Sequence, residues 1–195
     1  MTASVFRAVQ YSAEEFVESC GAILFDFSGP ATQVCLVHYI PKDEWMLAKG
    51  RRNCGESRHE AALREMEEET GYHCRLFPIT MPTRAPAVTE QGSVPDRPRY
   101  YPNITEPFMV SIREMNGDNQ TNIKLIWWYI AEVRDRNSGG KGEEGFTAHF
   151  FNTEDAVQKL TFRNDREILQ KAVELVKKQI QGCREYEGAR SEDVI

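Results

Sequence analysis

Between Ser57 and Gly71 the chain encodes both ends of a single helix. Ser57 can cap the start, Glu60 three residues on completes a capping box, and Gly71 stands where a left-handed residue is wanted. Ala61, Ala62 and Met66, with Leu63 at the margin, give that helix a narrow apolar stripe. It must therefore lie on something apolar. The expectation is a helix over Ser57–Thr70 packed on a sheet.

The sheet is legible on both sides of it. Cys20–Phe27 and Gln33–Ile40 are β-prone apolar runs separated by Ser28-Gly29-Pro30, which predicts a hairpin of buried strands. Glu44–Leu47 reads as a short third strand. Ile123–Val133 is the strongest strand in the chain and too apolar for an edge, and Phe146–Phe151 reads as another. Prolines crowd residues 78–107, so strands broken by one long loop over Thr89–Thr105 are expected there, and loops of that length often carry function. Arg134–Gly145 reads as a charged, glycine-rich loop. Two helices follow. Glu154–Leu160 is capped by Asn152 or Thr153. Asp165–Gln181 is capped by Asn164, with Glu167 in the capping-box position and one apolar face from Ile168 to Ile180. Residues 183–195 read as a polar, frayed tail. The order of elements predicts one α+β domain over 1–195.

Composition narrows the partners. With 41% hydrophobic and 28% charged residues, 195 residues suffice for one ordinary core. The net charge of −6 makes non-specific binding of DNA or an anionic membrane unfavourable, so neither is an expected partner. A polyphosphate would need local basic residues and metal ions. The five cysteines are odd in number and form no CxxC pair, which points to reduced thiols rather than a disulfide framework or zinc site. The cytoplasm is the expected compartment, with the nucleus second. Met1–Arg7 lacks the apolar run of a signal peptide, a cleaved one staying open, and no stretch is long and apolar enough to span a membrane.

Within the capped helix, Glu65, Glu68 and Glu69 are spaced i, i+3 and i+4 and share one face. Three like charges in one turn repel unless cations neutralise them, and hard divalent ions such as magnesium match carboxylate oxygens. The loop Lys49–Gly55 runs into this helix, and loop amides with the positive helix end favour a phosphate there. The competing reading is a solvated acidic face. Taken alone, the triplet favours that blander reading.

The whole segment resembles the Nudix box, G-x5-E-x7-R-E-U-x-E-E-x-G-U, over residues 50–72. Gly50, Glu56, Arg64, Glu65, Glu68, Glu69 and Gly71 fill the fixed positions, Met66 the first bulky one and Tyr72 the last. The resemblance implies a Nudix-type α/β/α sandwich with a mixed central sheet. It implies a hydrolase of phosphoanhydride bonds that uses Mg2+, with Mn2+ as a substitute. It implies Glu68 and Glu69 as metal ligands, Glu65 as a further ligand or the base that activates water, and Arg64 as an ion-pair partner of a box glutamate. Glu56 supports the cluster, and Gly50 lets a backbone carbonyl, of Lys49 or Gly50, reach a metal. In the family a further acid often comes from a loop after the central strand, and Glu143 and Glu144 both lie in such a loop here, with loop solubility the alternative for either.

Lys49-Gly50 resembles the start of the box in dinucleoside polyphosphate and diphosphoinositol polyphosphate hydrolases, with Ala48 in place of their proline. Lys49, Arg51 and Arg52 put positive charge beside the phosphate site. Arg97, Arg99, Tyr100 and Tyr101 in the long loop are further candidates for phosphate contact and base stacking, with loop packing the alternative. A small-molecule polyphosphate is the expected substrate. Hydrolysis of the mRNA cap is a second reading, and a nucleotide-sensing module that cuts nothing is a third. The sequence carries no signal for oligomeric state.

Overall fold

A computed structural model describes residues 8–116, 121–136 and 142–192, with Asn116, Thr121 and 183–192 described through their backbone alone. The expectations for the first seven residues, for the middle of the Arg134–Gly145 loop, for the Cys183 thiol and for the last three residues lie outside the described residues.

The elements are β1 (Phe16–Asp26), β2 (Gln33–Tyr39), β3 (Glu44–Met46), β4 (Lys49–Arg51), α1 (Arg58–Thr70), β5 (Cys74–Leu76), β6 (Ile79–Thr83), β7 (Arg99–Ile104), β8 (Met109–Asn116), β9 (Thr121–Val133), β10 (Phe146–Asn152), α2 (Thr153–Lys159) and α3 (Arg163–Glu192). Eight strands form one sheet in the order β10-β2-β1-β9-β5, with β3 added to β2, β4 to β1 and β8 to β9. β1 and β9 run parallel at its centre, and every other pairing in the sheet is antiparallel, so the sheet is mixed.

Alternation along the two central strands divides the core. Ile23, Phe25, Ile126 and Trp128 face α2 and α3, meeting Ala156, Leu160, Leu169, Ala172 and Val176. Cys20, Ala22, Leu24, Tyr129 and Ala131 face α1, meeting Ala61, Ala62 and Met66. Helices thus cover both faces, giving the expected α/β/α sandwich. Burying each large aliphatic side chain in such a core contributes about 2 kcal/mol.

The box helix forms as its ends predict. Ser57 Oγ accepts from the Glu60 N–H, Glu60 reaches back to the Ser57 N–H at 2.8 Å, and Gly71 closes the helix at φ 72°. The proline-rich stretch differs from expectation. β6 and β7 pair as a separate two-stranded ribbon, so Arg99, Tyr100 and Tyr101 sit on a strand and the intervening loop ends at Pro98. Proline lacks only an N–H donor, and a two-stranded ribbon leaves one edge of each strand unpaired to accommodate it. α3 also departs from expectation at both ends. It begins at Arg163, which puts Asn164 and Asp165 in its first turn, and Glu167 pairs with Arg163 at 3.0 Å rather than closing a capping box. It continues through Gly182 to Glu192, because one interior glycine costs only about 1 kcal/mol against alanine.

Candidate active site

β1 sets the position of β4, pairing Cys20 with Gly50 and Gly21 with Lys49. α1 packs on the same part of β1 through its alanines, so the acidic face of the helix comes down on β4. Gly50 is what permits the approach. A Cβ there would lie 1.7 Å from Glu65 Oε2 and 2.4 Å from Oε1. The Lys49 N–H donates to Glu69 Oε2 at 3.2 Å.

Arg64 organises the carboxylates. Its Nε and one terminal nitrogen grip Glu56 at 2.8 and 3.0 Å, its other terminal nitrogen reaches Glu65 at 2.7 Å and Glu68 at 2.9 Å, and it also donates to the Arg51 carbonyl. The guanidinium pKa is pushed up, chiefly by the Glu56 hydrogen bond. Glu56 is held below the usual carboxylate range by the same bond. Glu56 is thus linked to Glu65 and Glu68 through the guanidinium they share.

Glu69 is buried, and burial pushes its carboxyl up to about 7; the charges of Glu65 and Glu143 add to the rise, while Lys49 opposes it. Burial also raises Glu65, against Arg64. Of the two loop acids, the structure brings Glu143 to the cluster. Gly142 passes so close that a Cβ would lie 2.5 Å from the Glu69 carbonyl oxygen, and the Glu143 N–H donates to the Glu68 carbonyl at 2.9 Å. Among the described residues, no comparable contact links Glu144 to the box.

One expectation is corrected: Lys49–Arg51 is strand rather than loop. Some of the amides near the start of α1 are already paired. The Asn53 N–H is taken by Glu56, and those of Ser57 and Glu60 by the capping box. The expected substrate cations also divide. Arg52 donates to Glu18 at 2.9 Å and to the Glu56 carbonyl at 2.8 Å, which makes it part of the scaffold with Arg58 and Trp127, both bound to the same Glu18 carboxylate. Lys49 and Arg51 remain open. Arg99 pairs with Glu90 at 2.9 Å, and Tyr101 donates to Glu90 at 2.7 Å. That ribbon lies against α3, where the Thr80 N–H meets Gln179 and Tyr100 comes near Lys178. Asp165, at the active-site end of α3, is thirteen residues before Lys178, about 20 Å at 1.5 Å per residue. Arg99, Tyr100 and Tyr101 are thus not brought to the box, and Arg97 stays on the exposed loop beyond them.

The structure adds residues the sequence reading missed. Lys124 on β9 and Arg113 on β8 lie directly opposite each other, near Lys49, Arg51 and Asp165. The available signal was that Lys124 is a lone cation inside the run IKLIWWYIAEV.

Among the described residues no three His, Cys, Asp or Glu side chains converge tightly enough to hold a metal as they stand, and Arg64 occupies one oxygen each of Glu65 and Glu68. The chemistry of the donors nonetheless fits a hard divalent ion. They are all carboxylate oxygens, and Glu69 is buried among acids whose charges oppose its own.

The description "NUDIX domain" matches residues 16–172, well over half the chain. The chain belongs to the Nudix family. A Caenorhabditis elegans protein described as "Putative nudix hydrolase 1" is 34% identical over 121 residues, which is 58% of this chain and 29% of that protein. This Nudix chain thus spans under a third of that relative's length. Among solved structures, a C. elegans Ap4A hydrolase superposes with a TM-score of 0.53 at 14% identity, covering 82% of this chain and 98% of its own. The Mycobacterium smegmatis Nudix hydrolase RenU gives 0.52 at 16% identity, covering 83% and 86%. These likenesses show the Nudix fold.

Proposed function

We propose that this Nudix chain is a hydrolase that cleaves a phosphoanhydride bond in a highly phosphorylated small molecule, a dinucleoside polyphosphate or diphosphoinositol polyphosphate, with Mg2+ or Mn2+ as cofactor. The observation that carries the reading is the gathering of Glu65, Glu68, Glu69 and Glu143 at one end of α1, against the backbone of β4 and beside unpaired basic side chains. Glu68, Glu69 and Glu143, with the Lys49 or Gly50 carbonyl, would hold the cation, which supplies Lewis acidity and lowers the pKa of a nearby water. Glu65 keeps Oε2 toward Gly50 while Arg64 holds Oε1, and in this reading it would take the proton of that water. A new P–O bond forms as the bridging P–O bond breaks, and the leaving phosphate departs with the bonding pair.

Diadenosine tetraphosphate, a diphosphoinositol polyphosphate, a capped dinucleotide and ADP-ribose, each incubated with Mg2+, give the test. Cleavage of the first or second in preference to ADP-ribose supports the reading. Preference for the capped substrate would move the assignment to RNA. Cleavage of none of them, or cleavage that persists in EDTA, would overturn it.

A further inference from the structure

The antiparallel pairing of β8 and β9 sets Arg113 opposite Lys124. β4 reaches the same face of the sheet. Lys49 is aligned through Gly21 with Trp128, and Arg51 through Ser19 with Ile126. Trp128 and Ile126 face the core under α3, and Lys124, two residues before Ile126, shares their side. Four cations from three strands therefore gather on one face.

Their neutralisation is partial: the charge of Lys49 acts on Glu69 and Asp165, and that of Arg113 on Asp165. Burial holds the Lys124 ammonium below the usual lysine range, and the charges of Lys49, Arg113 and Arg51 each push the same way, with Glu65 opposing. Among the described residues, no salt bridge joins Lys49, Arg51 or Lys124 to a carboxylate. The carboxylate beside Arg113 is Asp165, 3.7 Å away, too long for a hydrogen bond, and its buried Oδ1 has no hydrogen-bond partner. Lys49, Arg113 and Lys124 are half-buried and Arg51 is exposed beside them; like charges so placed repel, and an anion with several charges relieves all four at once.

We propose that Lys49, Arg51, Arg113 and Lys124 form a polyphosphate subsite, holding substrate phosphates beyond the pair that lies at the glutamates. Lys124 is its member on the central strand β9 and Arg113 its member on β8 alongside, and Arg52, committed to Glu18, is outside it. This deepens the hydrolase reading, since the subsite borders the box at Lys49, whose N–H donates to Glu69 at 3.2 Å, and the charge of Glu65 acts on Lys124. It favours a substrate with more than two phosphates over a nucleoside diphosphate sugar.

The test is binding of inorganic tripolyphosphate to the full chain in EDTA, by titration calorimetry, where neither metal nor turnover contributes. The wild type should bind tripolyphosphate more tightly than orthophosphate, and the affinity should fall with salt. Lys124→Met and Arg113→Gln should each weaken it by about tenfold or more, as expected for loss of one charge-assisted contact. Lys124→Met should melt no lower than wild type, because like-charge repulsion is relieved. Lys124→Arg should retain the binding, and Arg52→Gln should leave it unchanged in whatever fraction stays folded. If wild-type protein binds no tripolyphosphate, or folded Lys124→Met and Arg113→Gln bind it as wild type does, the subsite is refuted. Under Mg2+ the same two variants should raise KM for diadenosine tetraphosphate with little change in kcat. A chain that binds tripolyphosphate yet hydrolyses no anhydride would overturn the hydrolase reading and leave the subsite standing.

Discussion

Glu69→Gln in metal-free protein separates the electrostatics of the site from its chemistry. The amide keeps the size of the carboxylate and its oxygen can still accept the Lys49 N–H, which lies 3.2 Å from Oε2. It removes a buried charge that Glu65 and Glu143 oppose. The folded-state pKa of Glu69 is about 7, against an ordinary value of 4.5. Each unit is worth 1.36 kcal/mol, so carrying the charge costs the folded protein about 3 kcal/mol. The sign follows from proton uptake. Between pH 4.5 and 7 the folded state keeps a proton that the unfolded chain releases. Wild-type stability is therefore highest, for this group, below pH 4.5. It falls as pH rises through the window and stays reduced above pH 7. The variant has no such dependence. In EDTA at pH 8 it should melt about 6–12 °C above wild type, using roughly 2–4 °C per kcal/mol for a chain of this size, and the gap should close as pH falls toward 4.5. Calorimetric melting across that range measures it. Turnover with Mg2+ should meanwhile drop by about two orders of magnitude or more. A variant less stable than wild type at pH 8, or a gap that does not change with pH, would refute the burial argument.

Gly50→Ala should leave the melting temperature within a few degrees, because the Glu65 carboxylate that a Cβ would strike is the end of a flexible side chain, while activity measured with Mg2+ should fall at least tenfold as Glu65 is displaced. Glu143→Gln should lower activity at limiting Mg2+ and Glu144→Gln should not, since Glu143 is held against the last turn of α1; equal activity profiles would remove Glu143 from the site. Arg64→Met should cost both stability and turnover, because it leaves Glu56, Glu65 and Glu68 without the cation that holds them; a melting curve and a rate that both match wild type would contradict that role.

How much of this was legible in the sequence depends on how local the information is. Ser57, Glu60 and Gly71 act within a turn of the helix they bound, and they were readable as residues. The parallel pairing of β1 with β9 joins segments a hundred residues apart and has no local signature beyond the apolar character of Ile123–Val133. Arg51 and Arg52 show the limit most clearly. They are neighbours of the same type, yet alternation sends Arg51 to the face of Lys124 and Arg52 to Glu18 on the face of α1. Only the pairing register of β4 decides which is which. Arg99 and Tyr101 were misplaced because proline density suggested a loop where a two-stranded ribbon tolerates it.

The net charge of −6 weighs against non-specific binding of DNA or an anionic membrane and hides the mechanism of attraction. Acid and base are segregated at the site. Glu65, Glu68, Glu69 and Glu143 crowd the end of α1, and Lys49, Arg51, Arg113 and Lys124 crowd the opposite flank of β4. Each group is destabilised by its own kind, and Arg64 relieves only the acidic side. A divalent cation relieves the acids, a polyphosphate relieves the bases, and a cation–polyphosphate complex relieves both together. Binding of either ion should therefore favour binding of the other, beyond any direct contact between them, because each removes repulsion that the second would otherwise meet. If the proposed subsite holds, a nucleoside monophosphate, with one phosphate, would not relieve both sides, and discrimination for long phosphate chains would follow from where the charges sit on the two faces of one short strand.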